Sequence, residues 1–322
     1  EILEMLAKKL GVHADELVFT RGATESLQLL ISGYNKLKPG DTVLYADAAY
    51  YSMAAEMRHM KVHRGANVVE LKMPDPVSFD SSIELFEQGI KDNPGTKLIL
   101  LTHMANRTGA IIPVKEITAM ARSYGADVIV DMAHSWGQLD FNFVDQGVDF
   151  VGFNLHKWIG APLGTGLMYI KKDRMLDIDT KSSKGPVGNT DINNRVQTGT
   201  MNLAAVMSVK DALQFVGDIG ITHIDKRFKS LRNEWVKEFI GDNRIDILSP
   251  EDARMHAGLT SFRIKAHKDA RELGKLLLND YRINTAPIPE LNAIRVSPGL
   301  YSSKADMAAL AVAIKDIMNK MG

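Results

Sequence analysis

The sequence predicts an α/β fold: a large domain with a mostly parallel sheet covered by helices on both faces, then a smaller C-terminal α+β domain. Three observations predict it. Short apolar runs, among them Val128–Val130, Phe150–Phe153 and Leu167–Ile170, alternate with longer stretches of helical spacing, the pattern of strands joined by crossover helices. Polar residues repeatedly follow the runs: Asp131 and His134 after one, Asn154, His156 and Lys157 after the next. In an open sheet of this type ligands gather at the carboxyl ends of the strands. From roughly Gly220 the alternation changes character, which divides the chain into residues 1–219 and 220–322.

Ile2, Leu3, Leu6 and Leu10 form an apolar helical stripe closed by Gly11, a plausible residue just past a helix end. The sequence starts at Glu1 inside that pattern, without methionine, so an upstream portion is expected. Leu17–Thr20 is a strand, and Arg21-Gly22-Ala23-Thr24-Glu25-Ser26 opens a helix through Leu27, Leu30 and Ile31. A glycine-containing helix start offers free N–H groups to an anion, with the Thr24 hydroxyl as a further donor; simple helix capping is the alternative. Thr42–Tyr45 is a strand and Asp47–Met60 a helical region bearing Tyr50 and Tyr51. Those rings either stack on a flat ligand or pack the helix onto the sheet. Val68–Leu71 is a strand, Ile83–Lys91 a helix and Leu98–Leu101 a strand, followed by His103, Asn106 and Arg107. His103 could simply be a satisfied core histidine, the commoner outcome for a lone one. Val114–Tyr124 is helical and leads into the polar-rich strand ends described above.

After Ile170, residues Lys171–Asn194 read as a surface excursion, followed by Arg195–Asn202 and one helix from Leu203 to about Val216. Beyond Gly220 the spacing predicts a helix over Ile224–Ile240, strands near Ile245–Leu248 and Gly258–Ile264, and a helix over Ala270–Asn279. Strands at Arg282–Thr285 and Ala293–Val296 and a helix over Lys304–Met321 complete it. Arg295, before Ser297-Pro298-Gly299, is either a ligand-facing base or a surface arginine.

Composition narrows the function. The 322 residues are 45% hydrophobic and 24% charged, with 39 basic and 39 acidic residues, so no global field recruits nucleic acid or an anionic membrane. No apolar run approaches the roughly 20 residues of a membrane span. The chain has no cysteine, which excludes disulfides, thiolate metal sites and cysteine nucleophiles. No metal site is expected, and a cytoplasmic location is, with a removed export signal as the alternative. No G-x-G-x-x-G follows an early strand and no Walker A sequence occurs, which argues against a dinucleotide-binding dehydrogenase.

Lys157 lies between a strand and the glycine-rich return Trp158-Ile159-Gly160-Ala161-Pro162-Leu163-Gly164. Partial desolvation there would bring its amine toward the nucleophilic range. Asp131, at the end of an adjacent strand, would be a buried carboxylate needing a cationic partner. Pyridoxal phosphate demands such a pair: a lysine for the Schiff base and a carboxylate that keeps the pyridine nitrogen protonated.

The segments RGATES, LTHMANRTG, DMAHSWGQ, NLHKWIGAPLGTGLMYI and QTGTMN together resemble the class V aminotransferase family of fold-type I pyridoxal-phosphate enzymes, nearest its isopenicillin-N-epimerase-like branch. The resemblance runs from about Asp15 to Asn202 and is traceable to Arg295. It implies Lys157 as the Schiff-base lysine, Asp131 at the pyridinium, and Gly22, Ala23 and Thr24 at the phosphate with Asn154 and His156. Asn106 and His134 would lie near the ring's phenolic oxygen, with Tyr50 over the ring face and Tyr51 as the alternative. It further implies Arg295 on the substrate carboxylate and Thr200 lent to a neighbouring subunit of a homodimer. The implied substrate is an amino acid or amino-acid-bearing metabolite, and the implied reaction an epimerisation, transamination or elimination. Two departures stand out. The related cysteine desulfurases carry a ring-covering histidine and a persulfide cysteine, where this chain has Tyr50 and no cysteine. Relatives also have a longer N-terminal segment.

Overall fold

The computed structural model describes residues 1–180, 188–196 and 199–321. The first part runs α1 (Ile2–Leu10), β1 (Leu17–Thr20), α2 (Ala23–Gly33), β2 (Thr42–Ala46), α3 (Tyr51–Arg64) and β3 (Asn67–Leu71). It continues through α4 (Phe79–Asp92), β4 (Thr96–Thr102), α5 (Val114–Ser123), β5 (Asp127–Asp131), β6 (Phe150–Asn154) and β7 (Gly166–Ile170). Then come α6 (Leu203–Met207), α7 (Val209–Ile219), α8 (Ile221–Val236), β8 (Ile245–Ile247), β9 (Thr260–Ile264), α9 (Ala270–Tyr281), β10 (Ala286–Ile288), β11 (Ala293–Val296) and α10 (Lys304–Lys320).

Seven strands form one sheet in the order β1-β7-β6-β5-β4-β2-β3. Strands β3, β2, β4, β5 and β6 are mutually parallel, while β7 runs antiparallel to both β6 and β1. Alternation along each strand feeds two cores. Ile99, Leu101, Val128, Val130, Val151 and Phe153 pack with α1, α4, α5 and α7 on one face. Leu98, Leu100, Ile129 and Phe150 pack with Leu27, Leu30 and Ile31 of α2 and Met53, Met57 and Met60 of α3 on the other. A strand buried on both faces must be apolar at every position, which is why these segments read as continuous runs. Burial of each such side chain contributes about 1.5–3 kcal/mol.

The second sheet, β10-β11-β9-β8, is wholly antiparallel. Its core joins Phe262, Ile264 and Ile294 to Trp235 and Phe228 of α8 and to Leu310, Ile314 and Ile317 of α10. Helix starts here follow local chemistry: the Asp269 carboxylate caps α9, and Ser303 with Asp306 forms a capping box at α10, each such cap being worth about 1 kcal/mol. The two sheets meet closely. Ile111 N–H donates to the Met255 carbonyl at 2.9 Å. Gly109, at φ +78°, leaves no room for a Cβ, which would lie 1.9 Å from the Leu259 carbonyl oxygen.

Several segments depart from the sequence expectations. The helix expected from Leu203 breaks at Ser208, whose hydroxyl bonds the Ala204 carbonyl at 2.8 Å, a back-bond that bends helices. The strand expected at Arg282–Thr285 lies later, at β10, because Arg282 takes the left-handed conformation (φ 59°) that closes α9. Within Lys171–Asn194, a 3-10 turn at Lys172–Asp177 buries Met175 and is followed by the buried Ile178, so this part belongs to the core; residues 181–187 lie outside the described ones. Arg195, only 1% exposed, donates to the carbonyls of Met175, Asn189 and Asp191.

Candidate active site

Strand register sets the site. Thr102 pairs with Asp131, Asp131 with Gly152, and Asn154 with Gly166, which in turn pairs with Thr20. The carboxyl ends of β1, β4, β5 and β6 thus open onto one cavity of about 600 Å³.

Asp131 is 6% exposed, and its Oδ1 accepts the Ala133 N–H at 2.8 Å. Burial pushes its carboxyl above the ordinary carboxylate range, against the pull of that amide and of Lys157. Lys157, on the turn after β6, keeps solvent contact at the cavity mouth. The surrounding walls still strip water from its ammonium and lower it to about 8, with Arg295 reinforcing the drop and Asp131 opposing it. His134, on the turn after β5, places Nε2 2.7 Å from Lys157 Nζ, and its Nδ1 accepts the Trp158 indole N–H at 3.4 Å. Burial, Lys157 and Arg295 all hold His134 well below the ordinary histidine range.

The opposite end of the cavity is the start of α2. Gly22 is its N-cap, without a side-chain cap, and Thr24 stands exposed in the first turn, so plain capping is not what the threonine does here. Ala23 N–H donates to Asn154 Oδ1 at 2.7 Å. The amides of Thr24 and Glu25 have no carbonyl one turn back within the helix. His156 Nδ1 lies 2.8 Å from the Thr165 carbonyl, which sets that nitrogen as donor and leaves Nε2 to the cavity side. A Cβ on Gly166 would fall 2.3 Å from Gly22 Cα, so the strand and the helix start touch backbone to backbone.

Tyr50, the N-cap residue of α3, lines the cavity; Tyr51 is 74% exposed and does not. Their rings lie 4.5 Å apart, and the hydrogen bond between them together with burial pushes the Tyr50 phenol up to about 12. Arg295 reaches the cavity from β11 of the second sheet and donates from Nη1 to the Asn106 carbonyl at 2.9 Å. It is half-buried against the cavity and is not a freely exposed surface arginine. Thr200 is exposed and is not among the residues lining the cavity, and its neighbours Gln197 and Thr198 lie outside the described residues. His103 is a core histidine, edge-on to Phe141 at 4.9 Å.

Sequence reasoning passed over Arg21, Glu25, Gln28, Met53, Thr102 and Met104, which also line the cavity. Thr102, the last residue of β4, was open to the strand-end rule that found Asp131. Gln28 and Met53 follow Thr24 and Tyr50 by one helical turn, a spacing that shares a face. Glu25 accepts the Arg21 N–H at 2.7 Å and braces the turn.

Three buried polar atoms without a protein partner, Thr102 Oγ1, Asn106 Oδ1 and Arg295 Nε, belong to cavity-lining residues. Buried polar atoms require partners. With a buried carboxylate, an amine of lowered basicity and an anion-accepting helix start in the same space, the cavity fits pyridoxal phosphate.

The fold and the cavity are those of the class V aminotransferase family. The aminotransferase class-V family model matches residues 1–286, and the chain belongs to this family of pyridoxal-phosphate-dependent, fold-type I enzymes. Among curated relatives, isopenicillin N epimerase of Amycolatopsis lactamdurans is 24% identical, covering 98% of this chain and 83% of that protein. A probable cysteine desulfurase of Chlamydia trachomatis is 26% identical, covering 96% and 80%. Among solved structures, the cystine C–S lyase C-DES in complex with cysteine persulfide shares the fold at TM-score 0.86 and 20% identity, covering 98% of this chain and 85% of that one.

Proposed function

We propose that the chain is a pyridoxal-phosphate enzyme acting on an amino acid or amino-acid-bearing metabolite, of the isopenicillin-N-epimerase-like kind. The observation that carries this reading is one cavity holding Lys157 and Asp131 at the ends of adjacent strands, with the start of α2 at one end and Arg295 across it. When bound, the cofactor supplies an electron sink that acidifies the substrate Cα–H. Asp131 would hold the proton on the ring nitrogen, which its burial beside few other donors suits it to do. Gly22, Ala23, Thr24, Asn154 and His156 would seat the phosphate. Tyr50 would cover the ring, and Asn106 and His134 would border the phenolic oxygen. Arg295 would orient the substrate carboxylate with a guanidinium whose Nε has no protein partner. Lys157, at about 8, can exist as a neutral amine near neutral pH and so take and return a proton at Cα.

In the division we propose, residues 1–219 form the cofactor domain and 220–322 the small domain, and Arg295 alone among these residues comes from the latter. A homodimer in which Thr200 reaches the neighbouring site suits its exposed position. A second reading, a C–S lyase, is supported by the likeness to C-DES. With no cysteine in the chain, such a lyase could not relay sulfur through a protein thiol. A noncatalytic binding protein is disfavoured by the retention of both Lys157 and Asp131.

The test is borohydride reduction of the cofactor-loaded protein followed by peptide mapping, with a pyridoxyl group expected on Lys157. Modification of another lysine, or protein that takes up no cofactor, would overturn the reading. Cα–deuterium exchange in heavy water, followed against keto-acid release and β-elimination, separates the three reactions.

A further inference from the structure

His134 spends both ring nitrogens inside the site: Nε2 lies 2.7 Å from Lys157 Nζ, and Nδ1 faces the Trp158 indole N–H at 3.4 Å. An indole N–H can only donate, so Nδ1 must present its lone pair. A neutral imidazole then carries its proton on Nε2. A lysine ammonium has only donors and would set N–H against N–H across the 2.7 Å contact. A neutral amine has the lone pair that Nε2–H needs. A doubly protonated ring would set Nδ1–H against the indole N–H, and burial together with the Lys157 and Arg295 charges already disfavours it.

We propose that Trp158 is a positioning residue: its indole N–H fixes His134 in the Nε2–H tautomer, and His134 thereby selects the neutral amine of Lys157. This rests on the reading of Lys157 as the reactive lysine. The other groups facing that amine pull both ways. Burial disfavours the ammonium most, Asp131 favours it and Arg295 opposes it, and the hydrogen-bond direction at His134 adds to the net lowering. Tyr50 lines the same cavity as a neutral phenol. Contacts from the C-terminal part hold the rest of the arrangement. The Trp158 ring stands edge-on to Phe228 of α8 at 4.9 Å and 82°, and Phe228 is 1% exposed. Gln138 Nε2 donates to the His134 carbonyl at 3.0 Å, while Gln138 Oε1 accepts Gly258 N–H at 3.0 Å. The C-terminal part of the molecule therefore holds both the tryptophan and the histidine backbone that set the charge of the lysine.

The test uses the cofactor-free protein and so does not depend on turnover. Nitrogen-15 NMR of His134 is expected to show a lone-pair Nδ1 and a protonated Nε2. Lys157 labelling by an amine reagent, mapped by peptide mass across pH, reports the neutral fraction. In Trp158→Phe, which keeps an aromatic edge for Phe228 and deletes the donor, His134 is expected to populate the Nδ1–H tautomer. Its Nε2 then accepts from an ammonium, and the Lys157 labelling midpoint should rise by about one pH unit, the effect of roughly one hydrogen bond. Finding the lone pair on Nε2 in the unaltered protein overturns the proposal, even if the variant fails to fold. So does a folded variant whose tautomer and midpoint are unchanged, because a purely packing role would move neither. Borohydride mapping decides separately whether Lys157 is the reactive lysine.

Discussion

At the scale of single residues, Asp131 shows what the site costs the fold. Its carboxylate is buried at the end of β5 with one backbone donor, and burial raises its pKa. A raised value means that the folded protein holds the anion less well than the unfolded chain does. Stability is therefore lost as pH rises through the folded value. Asp131→Asn keeps the shape and the Ala133 hydrogen bond and removes that loss. The cofactor-free variant should be more stable at pH 7, on the order of 1 kcal/mol, while most turnover disappears because an amide cannot hold the ring proton. Urea denaturation and a steady-state assay check the two halves, and a variant less stable than the parent would contradict the argument. Asp131, Asn154, His156 and Lys157 were legible because each follows a strand run. The role of Trp158 was not, because nothing in the order of residues says which nitrogen of His134 it meets.

At the scale of elements, the contact between β7 and the start of α2 governs the anion end of the cavity. A Cβ on Gly166 would meet Gly22 Cα at 2.3 Å and Gly22 N and C at 2.6 Å, and all of these are backbone atoms that cannot rotate away. Gly166→Ala should destabilise by roughly 1–3 kcal/mol, as overpacking does, and should weaken phosphate and cofactor binding by shifting the first-turn amides. Gly95→Ala, with nothing nearer than 3.9 Å, is the control. Calorimetric titration with pyridoxal phosphate reads the effect, and equal affinities in the two variants would refute it. The central strands β2, β4, β5 and β6 were legible because burial on both faces demands unbroken apolar runs. The ends of α9 and the break after α6 were not. One depends on a left-handed arginine, Arg282, and the other on a serine back-bond, Ser208, and neither residue type announces that geometry.

At the scale of the molecule, the two sheets share the cavity, and sequence pattern alone left Arg295 open between ligand and surface. The packing of Gly109 against Leu259, the hydrogen bond from Ile111 to Met255 and the Gln138 bridge to Gly258 help bring β11 over the first sheet. Two buried histidines, His103 and His256, and the half-buried His134 are all held below their ordinary value chiefly by desolvation. His103 is lowered from 6.5 to about 4, with its Nδ1 lacking a partner within the protein. In the unfolded chain these rings take up a proton near their ordinary value; in the folded protein they resist it. Between pH 6.5 and 4 the unfolded state therefore binds more protons, and stability falls as pH falls through that window. His103 alone would account for about 3 kcal/mol across it. His103→Leu fills a similar volume, leaves the His103 backbone bonds to Asp131 and Ile112 available, and cannot be protonated. Its urea midpoint should match or exceed the parent's at pH 7 and decline less steeply toward pH 4. If both proteins lose stability along the same acid limb, the buried ring at His103 is not what makes the fold acid-sensitive.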